Sequence, residues 1–325
     1  MNTFGRIFRI SIHGESHGEV IGVVIDGCPA GIPLSAKDFT EDLNRRKPLD
    51  FGTTGRKESD IPQLLSGVFN GFSTGAPILV NFRNENIKSQ DYEDFRNIPR
   101  PGSPDFVAKN KFKGFNDFRG GGAFSGRMTL ALVAAGVIAK KIISPISIKA
   151  ELISVGGSKD ITNSVKNAKS LQDSLGGIIE CSAENVPIGL GEPFFDSAES
   201  LISHILFSIP GVKALEFGAG VQSAAMLGSE FNDVYLNTDG KTATNNSGGI
   251  AGGITNGNNL SLKVTFRPAS SISKPQKTLN FQTGDEVELA IKGRHDVCYA
   301  QRTSVIVESA VAIALADMML ISKAI

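Results

Sequence analysis

Three glycine-rich stretches of this 325-residue chain carry side chains that can do acid–base chemistry or bind anions. In the first, Ser16 and His17 lie between two glycines, which places a proton-transfer pair on tight backbone. The second, residues 119–127, reads Arg-Gly-Gly-Gly-Ala-Phe-Ser-Gly-Arg and opens a long apolar helix, where unpaired N–H groups and the helix dipole favour an anion. The third, residues 293–296, reads Gly-Arg-His-Asp. Together they predict an enzyme for a phosphorylated substrate.

Arginine supports this prediction, because its planar guanidinium pairs with phosphate and carboxylate groups. Five arginines adjoin glycine or proline, or end an apolar element, so that rigid backbone can aim them: Arg100, Arg119, Arg127, Arg267 and Arg294. Two other basic runs, residues 45–47 and 56–57, have the pattern of a solvated surface when taken alone. Neither a P-loop nor a dinucleotide-binding glycine motif follows a strand, so neither nucleotide site is predicted.

Residues 14–18 also fit GxSxG, the pattern of the nucleophile elbow in serine hydrolases. An elbow serine follows a central strand of a partly built sheet and needs an acid and a histidine later in the chain. Here the pattern lies near the N-terminus, and the parallel-sheet pattern is missing. The adjacent His295 and Asp296 would point to opposite faces of a strand. A serine hydrolase therefore stays only as a minor alternative.

No metal site is predicted from the histidines. His13 and His17 are four residues apart, but the flanking glycines disfavour a helix, and no cysteine or carboxylate cluster completes a ligand set. His204 lies among apolar residues, which is typical of a structural histidine.

Composition indicates a soluble globular protein. Lys+Arg and Asp+Glu balance at 33 each, so no basic field favours nucleic acid, and 41% hydrophobic residues exclude a disordered chain. The three cysteines show no CxxC spacing, which favours a reduced, cytoplasmic setting. The first residues do not have the pattern of a signal peptide, because Arg6 and Arg9 interrupt the apolar residues. Of the apolar segments, residues 130–139 are too short for a membrane span, and residues 305–321 contain Glu308 and Asp317.

The fold class follows from hydrophobic periodicity. Strict alternation over residues 146–152, 260–266 and 287–291 predicts antiparallel strands with one wet face. Residues 127–143 and 305–321 are apolar on most sides, so they predict buried helices packed between sheets, in an α+β fold. The polar residues 158–169 are expected as a surface excursion. The glycine-dense residues 245–259 are expected as a functional loop without regular structure.

Taken together, the motifs resemble those of the chorismate synthase family along nearly the whole chain. The matching positions in the first part are residues 4–6, 14–18, 26–31, 45–46, 67–69, 73–75 and 89–92. Those in the second part are residues 119–122, 125–127, 134–136, 248–250, 252–254, 270–272 and 293–296. Three well-separated signatures occur in the family's order, which argues against coincidence.

The resemblance implies an activity and a cofactor. The family converts 5-enolpyruvylshikimate 3-phosphate to chorismate and phosphate by an anti-1,4-elimination. It requires reduced FMN, although the reaction has no net redox change. The phosphate and two carboxylates of the substrate, with the phosphate of FMN, would account for many arginines in a chain of zero net charge.

The resemblance also implies roles for individual residues. His17 would meet the departing phosphate as proton donor or electrostatic stabiliser, because both ordinarily ionise at about 6 to 6.5. Asp296 would lie by the central ring of the flavin and take part in proton removal with Ser16 and Ser125. The substrate anions would be bound by Arg45, Arg46, Arg100 and Arg127. FMN would be held by Ala123, Phe124, Ser125, Gly252, Arg267, Pro268, Ala269, Ser270, Ser271 and Arg294.

Several positions depart from the family's pattern. Ser103 stands where the family usually has a histidine thought to protonate the reduced flavin, and serine is not a cationic acid near neutral pH. Phe124 replaces a serine, Arg267 a lysine and Val297 a proline. The sequence therefore predicts a divergent member of the family. A flavin- or phosphate-binding protein that kept the scaffold but lost turnover is the second alternative.

For architecture, the resemblance implies a single catalytic domain over residues 1–325, with helices sandwiched between antiparallel four-stranded sheets in a chorismate synthase-like β-α-β arrangement. It implies a homotetramer acting on a small phosphorylated molecule, with neither nucleic acid nor membrane as partner. Two sources of reduced flavin stay open: NADPH used by the chain itself, or a separate flavin reductase.

Overall fold

The computed structural model describes residues 2–49, 51–53, 55–56, 58–87, 92, 95–291 and 295–324. Its strands in chain order are β1 (Thr3–Phe4), β2 (Arg9–Gly14), β3 (Val20–Asp26), β4 (Gln63–Ser66), β5 (Val68–Phe69), β6 (Phe72–Ser73), β7 (Ile78–Arg83), β8 (Ser147–Val155), β9 (Gly177–Glu184), β10 (Val212–Phe217), β11 (Ile250–Ala251), β12 (Ile254–Thr255), β13 (Leu260–Phe266), β14 (Gln276–Leu279) and β15 (Glu286–Leu289).

The α-helices in chain order are α1 (Thr40–Arg46), α2 (Asp105–Lys111), α3 (Thr129–Ile142), α4 (Ile161–Ser170), α5 (Ala198–Ser208), α6 (Gly228–Phe231) and α7 (Ser304–Ala324). Short 3₁₀ turns precede several of them, including Arg119–Phe124 and Gly126–Met128 before α3 and Tyr299–Arg302 before α7.

Two larger antiparallel sheets form from the alternating segments. The first has the order β1-β2-β3-β7-β4 and the second the order β10-β13-β9-β8. In the second sheet, β13 pairs with β9 from Leu260 opposite Ala183 to Phe266 opposite Gly177. Alternate residues of both strands are therefore buried on one face, as the period of two requires.

The long apolar helices lie between these sheets. Helix α3 packs on β3 and β2, α7 packs on β8 and β9, and the two helices pack on each other. Gly136 permits close approach, because a Cβ there would lie 2.3 Å from the Cβ of Ser309. The predicted α+β sandwich is confirmed. The first sheet has five strands rather than four, since the short β1 pairs with the edge of β2.

Two acidic residues of α7 are buried, and each has polar partners. Glu308 accepts hydrogen bonds from both terminal nitrogens of Arg45, at 2.7 and 2.6 Å, and from the Lys140 ammonium at 3.1 Å. Asp317 accepts hydrogen bonds from the backbone N–H groups of residues 6–8. Helix α7 is long and apolar enough to cross a membrane, but 78% of its most apolar window is buried inside the protein. These are the properties of a core helix.

Of two local expectations, the first is confirmed and the second was wrong. The polar residues 158–169 lie at the surface, but most of them form α4, because the Asp160 side chain accepts a hydrogen bond from the N–H of Asn163 and so caps the helix. Residues 245–259 contain regular structure, the β11–β12 hairpin, whose turn is made by Gly252 and Gly253 with positive φ.

Candidate active site

A cavity of ≈ 300 Å³ lies at the N-terminal ends of α3 and α7. Its walls come from the turn after β2, the end of α1, the loops before β4 and α2, and the segment after β13. The described lining includes six arginines and three carboxylates: Arg46, Arg56, Arg100, Arg127, Arg267, Arg302, Glu58, Asp60 and Asp296. This positive excess, together with two helix N-termini, favours a multiply anionic ligand.

Ser16 and His17 lie in the turn between β2 and β3, where glycine backbone presses against them. Ser16 is fully buried, and its N–H donates to the carbonyl of Gly122 at 3.2 Å. A Cβ on Gly120 would lie 2.6 Å from Nε2 of His17 and 2.8 Å from Oγ of Ser16. Gly120 also has φ +59, so both space and backbone conformation require glycine here. The contact fixes the Ser–His pair against the cavity wall.

Ser16 lines the cavity, whereas the described lining does not include His17. The His17 ring packs edge-on against Tyr92 at 5.1 Å between centroids, and Tyr92 and Gly120 form the wall in front of it. Burial and, after it, the nearby Arg56 guanidinium lower the pKa of His17 to about 4, although Asp117 opposes both. The imidazole is therefore neutral at pH 7 and stays neutral well below pH 6.5, where an ordinary histidine would gain a proton.

The lowered pKa of His17 predicts a pH dependence of stability. Between the ordinary value of about 6.5 and the folded value of about 4, only the unfolded chain binds the proton. The stabilising contribution is therefore fully present above pH 6.5 and is lost as pH falls through 4. We expect His17→Gln to flatten this part of the curve of unfolding free energy against pH, measured by urea denaturation. Parallel curves for both proteins between pH 6.5 and 4 would contradict the assignment.

Arg56 is a site residue that the sequence pattern missed, since its basic run was interpreted as solvated surface. Its two terminal nitrogens donate to Oγ of Ser16 at 2.9 Å and to the Ser16 carbonyl at 3.0 Å. Its Nε donates to Glu58 at 2.9 Å. Burial disfavours the Glu58 carboxylate, but hydrogen bonds from the N–H of Glu85 and from Arg56 outweigh burial and lower the Glu58 pKa. Two features of the sequence could have identified Arg56: Gly55 precedes it, and Glu58 follows two residues later.

Three other arginines that line the cavity also lie beside carboxylates. Arg127 donates to Asp60 at 2.5 Å, and Arg46 lies 3.6 Å from the same carboxylate. Arg302 donates to Asp296 at 2.8 Å. Arg302 was also missed, although it stands just before an apolar helix, the setting that singled out Arg127.

A second part of the cavity brings together the predicted flavin residues. Arg267, Ala269, Ser270 and Ser271 line it, and Arg100 donates to Oγ of Ser271 at 3.1 Å. Phe124 and Ser125 also line the cavity, and Phe124 is 41% exposed. Ser103 also lines the cavity, where its hydroxyl accepts from the N–H of Asp105 at 3.1 Å.

Besides His17, four predicted site residues lie outside the described lining. The Arg45 guanidinium pairs with Glu308 and with Asp42, so its charge is already paired away from the cavity. Ala123 and Pro268 are exposed neighbours of lining residues, and Gly252 lies in the β11–β12 turn. Arg294 lies outside the described residues, as do Gly293 and the motif positions 89–91.

The hydrolase alternative lacks its geometry. Ser16 lies in a β-hairpin turn rather than between a strand and a helix, and its hydroxyl accepts a hydrogen bond from Arg56. His13 lies on β2 with its Nε2 against Gly22, so it does not join His17 in a site. His204 packs on Phe4 at 5.5 Å between ring centroids.

The fold and the cavity define a class: an enzyme for a multiply anionic small molecule, built at the end of helices held between two antiparallel sheets. Sequence comparison specifies it further. The profile of the family described as chorismate synthase matches residues 8–320. The chorismate synthase of Chitinophaga pinensis is 56% identical over 324 residues, covering 99% of this chain and 98% of the relative. That of Korarchaeum cryptofilum is 44% identical over 346 residues, covering 97% and 96%.

Structure comparison agrees. A crystal structure of a chorismate synthase matches with a TM-score of 0.75 and 25% sequence identity, covering 98% of this chain and 93% of that chain. The chain therefore belongs to the chorismate synthase family, whose members are carbon–oxygen lyases of the shikimate pathway. The family predicted from the motifs is confirmed.

Proposed function

We propose that this chain converts 5-enolpyruvylshikimate 3-phosphate to chorismate and phosphate with the help of reduced FMN. The observation that carries the proposal is the cavity itself, where Ser16, Asp296 and six arginines face one hollow. The substrate presents a phosphate and two carboxylates, which matches the positive excess of the lining. In the elimination one C–H and one C–O bond break, the double bonds shift, and the C–O electron pair leaves with the phosphate.

His17 is proposed to serve the departing phosphate. In the structure it is neutral at pH 7, because its pKa is about 4. A phosphate dianion arriving beside it favours the imidazolium, since an opposite charge within a few ångströms raises the pKa of histidine. Substrate binding would then bring a proton to Nε2 or Nδ1, where it can be passed to the leaving group.

Asp296 is proposed to take part in removing the C–H proton, with Ser16 and Ser125 nearby. Its ion pair with Arg302 holds the carboxylate in the cavity wall. The Ser125 hydroxyl accepts from the N–H of Arg127 at 3.3 Å, so it is fixed at the start of the turn leading into α3. Arg46, Arg100 and Arg127 are proposed to bind substrate anions, and Arg45 to anchor α1 through Glu308.

The residues present fit FMN. The guanidinium of Arg267 and the hydroxyls of Ser270 and Ser271 supply donors for a phosphate, and the exposed Phe124 ring offers a flat apolar face for a flavin. We propose that these residues, with Ala123, Pro268, Ala269, Gly252 and Arg294, hold the cofactor. When bound, reduced FMN would supply electron density for the difficult bond-breaking step, with no net redox change. The reductant is proposed to be NADPH, used directly or through a separate flavin reductase.

The whole chain is proposed to act as one cytoplasmic catalytic domain that assembles into a homotetramer. One cluster of buried apolar residues spans both sheets and the helices between them. Large apolar side chains are exposed on the segments before α5 and around α6, and such surfaces mark protein contacts. Their exposed fractions are 87% for Phe194, 91% for Phe195, 73% for Val221 and 68% for Leu227.

The assembly proposal predicts that Phe195→Asp shifts the protein from tetramer to smaller species. A buried carboxylate at a subunit contact is strongly unfavourable without a partner. Light scattering after size-exclusion chromatography measures the mass. Leu171→Asp is the matched control, because Leu171 is 66% exposed between polar neighbours. A tetramer that survives Phe195→Asp at micromolar concentration would show that this side chain does not contact another subunit.

The activity itself is tested by anaerobic turnover of 5-enolpyruvylshikimate 3-phosphate with photoreduced FMN. Phosphate release and chorismate absorbance should rise together, and neither should rise with oxidised FMN. Binding of both molecules without phosphate release would overturn the proposal in favour of a protein that kept the scaffold and lost turnover, a possibility raised by Ser103.

A further inference from the structure

We propose that Asp60 is a positioning residue whose carboxylate holds the guanidiniums of Arg46 and Arg127 side by side, so that both present their charge to one anionic group of the substrate. The inference deepens the proposed function, since it assigns how the anion-binding wall is assembled. Asp60 has no part in the motifs that identify the family.

The three side chains come from separate parts of the chain. Arg46 ends α1, Arg127 lies in the 3₁₀ turn before α3, and Asp60 lies in the loop before β4. Oδ1 of Asp60 accepts from Nη1 of Arg127 at 2.5 Å, and Oδ2 lies 3.6 Å from Nη1 of Arg46. All three side chains are buried, with exposed fractions of 4% for Arg46, 6% for Arg127 and 3% for Asp60. The Asp60 carboxylate contacts both guanidiniums.

The other contacts of the two arginines are to neutral acceptors. Arg46 donates through Nε to the Thr129 hydroxyl and through Nη2 to the carbonyls of Gly126 and Arg127, each at 3.2 Å. Arg127 donates through Nε to the side chain of Asn84 at 3.1 Å. These bonds orient each guanidinium but do not offset the repulsion between them. The carboxylate of Asp60 does so from between the two.

Positive charge is concentrated around Arg46, so a carboxylate is needed to offset the repulsion. Burial and the neighbouring guanidiniums of Arg302, Arg127 and Arg56 together lower the pKa of Arg46 to about 9, while Asp60 opposes them. Because two guanidiniums share one carboxylate, the three side chains together keep a positive charge that can bind an anionic ligand. Nη2 of Arg127 is buried without a hydrogen-bond partner among the described residues, so part of that guanidinium is not committed to the protein.

The backbone of Asp60 has a conformation that is unfavourable for most side chains. Its φ is +52, in the left-handed region that side chains other than glycine rarely adopt, although aspartate tolerates it better than most. Such a conformation persists where surrounding contacts determine it, and these positions gather at functional sites. Here the determining contacts are the two guanidiniums.

Asp42 supplies a matched control. Its carboxylate also joins two cationic side chains, Arg45 at 3.1 Å and Lys140 at 2.8 Å, and its side chain is 11% exposed. Asp42 and both of its partners lie outside the described lining of the cavity. Asp60→Asn and Asp42→Asn therefore each remove one carboxylate charge from between two cationic side chains, one inside the site and one outside it.

The test is calorimetric titration of the FMN-free protein with 5-enolpyruvylshikimate 3-phosphate, at a temperature where each variant is folded. We expect Asp60→Asn to weaken binding about tenfold and Asp42→Asn to change it less than twofold. In an Arg127→Lys background, where the planar guanidinium is already lost, Asp60→Asn should cost less than threefold. A loss below threefold in the wild-type background, or an equal loss in both backgrounds, overturns the positioning role.

Should Asp60→Asn not fold, Asp60→Glu decides, because it keeps the charge and moves it by one methylene. A loss of affinity of threefold or more supports positioning, and a smaller loss overturns it. A wild-type protein that does not bind this substrate overturns the proposed function, whereas wild-type binding with unaffected Asp60 variants overturns this inference alone.

Discussion

Replacing His17 with alanine is expected to lower kcat for phosphate release by about a hundredfold or more, the usual scale for loss of a general acid. The structure gives the reason: the imidazole lies beside Ser16, behind the wall that Gly120 and Tyr92 form. Because its pKa in the ligand-free site is about 4, its contribution depends on the charge of the bound phosphate. Anaerobic single-turnover kinetics with reduced FMN measures the effect on chemistry separately from product release.

His204→Ala is the control for that experiment. His204 lies on α5 and packs on Phe4, away from the described lining of the cavity, so its removal should leave kcat within about twofold. A rate for His17→Ala equal to that of His204→Ala would remove His17 from the mechanism. A fall in both would point to a loss of folded protein, which unfolding curves detect directly.

The elements that were predicted well are those in which burial sets a simple period. Residues 260–266 alternate in sequence, and β13 has the same bounds because one face of it packs on the core. The helix expected over residues 127–143 begins at Thr129 instead, since Arg127 is part of a 3₁₀ turn that faces the cavity. The β11–β12 hairpin was missed, because two-residue strands around glycines leave too few side chains to show alternation.

The site was predicted only where glycine or an apolar helix marked it locally. Ser16, Ser125 and Arg127 were found in this way. Arg56 was not, because its contact with Ser16 joins residues forty positions apart and its neighbours look like solvated surface. The opposite error concerns Arg45, which was predicted to bind substrate. Its neighbour Arg46 lines the cavity, whereas Arg45 points away from it and pairs with Glu308 of α7. Which of two adjacent arginines points inward depends on tertiary packing.

Gly120 packs against the Ser–His pair too closely to leave room for a side chain. A Cβ at this position would lie 2.5 Å from Cδ2 of His17, 2.6 Å from Nε2 of the same ring and 2.8 Å from Oγ of Ser16. Real Cβ contacts are essentially never this short, so Gly120→Ala must displace the Ser–His pair. Since a displacement of about 1 Å can lower a rate about a hundredfold, we expect a loss of that size in kcat/KM for phosphate release.

Gly114→Ala separates this collision from backbone strain. Gly114 has φ +81 against +59 for Gly120, lies in the same segment, and has no atom within 4 Å of an added Cβ. Both alanines carry the cost of a left-handed conformation, about 1 kcal/mol, which urea denaturation should show in each variant. Only Gly120→Ala should lose activity, because only its methyl group meets His17 and Ser16. Equal rates for the two variants would mean that the Ser–His pair tolerates displacement, and its proposed place in proton transfer would then be wrong.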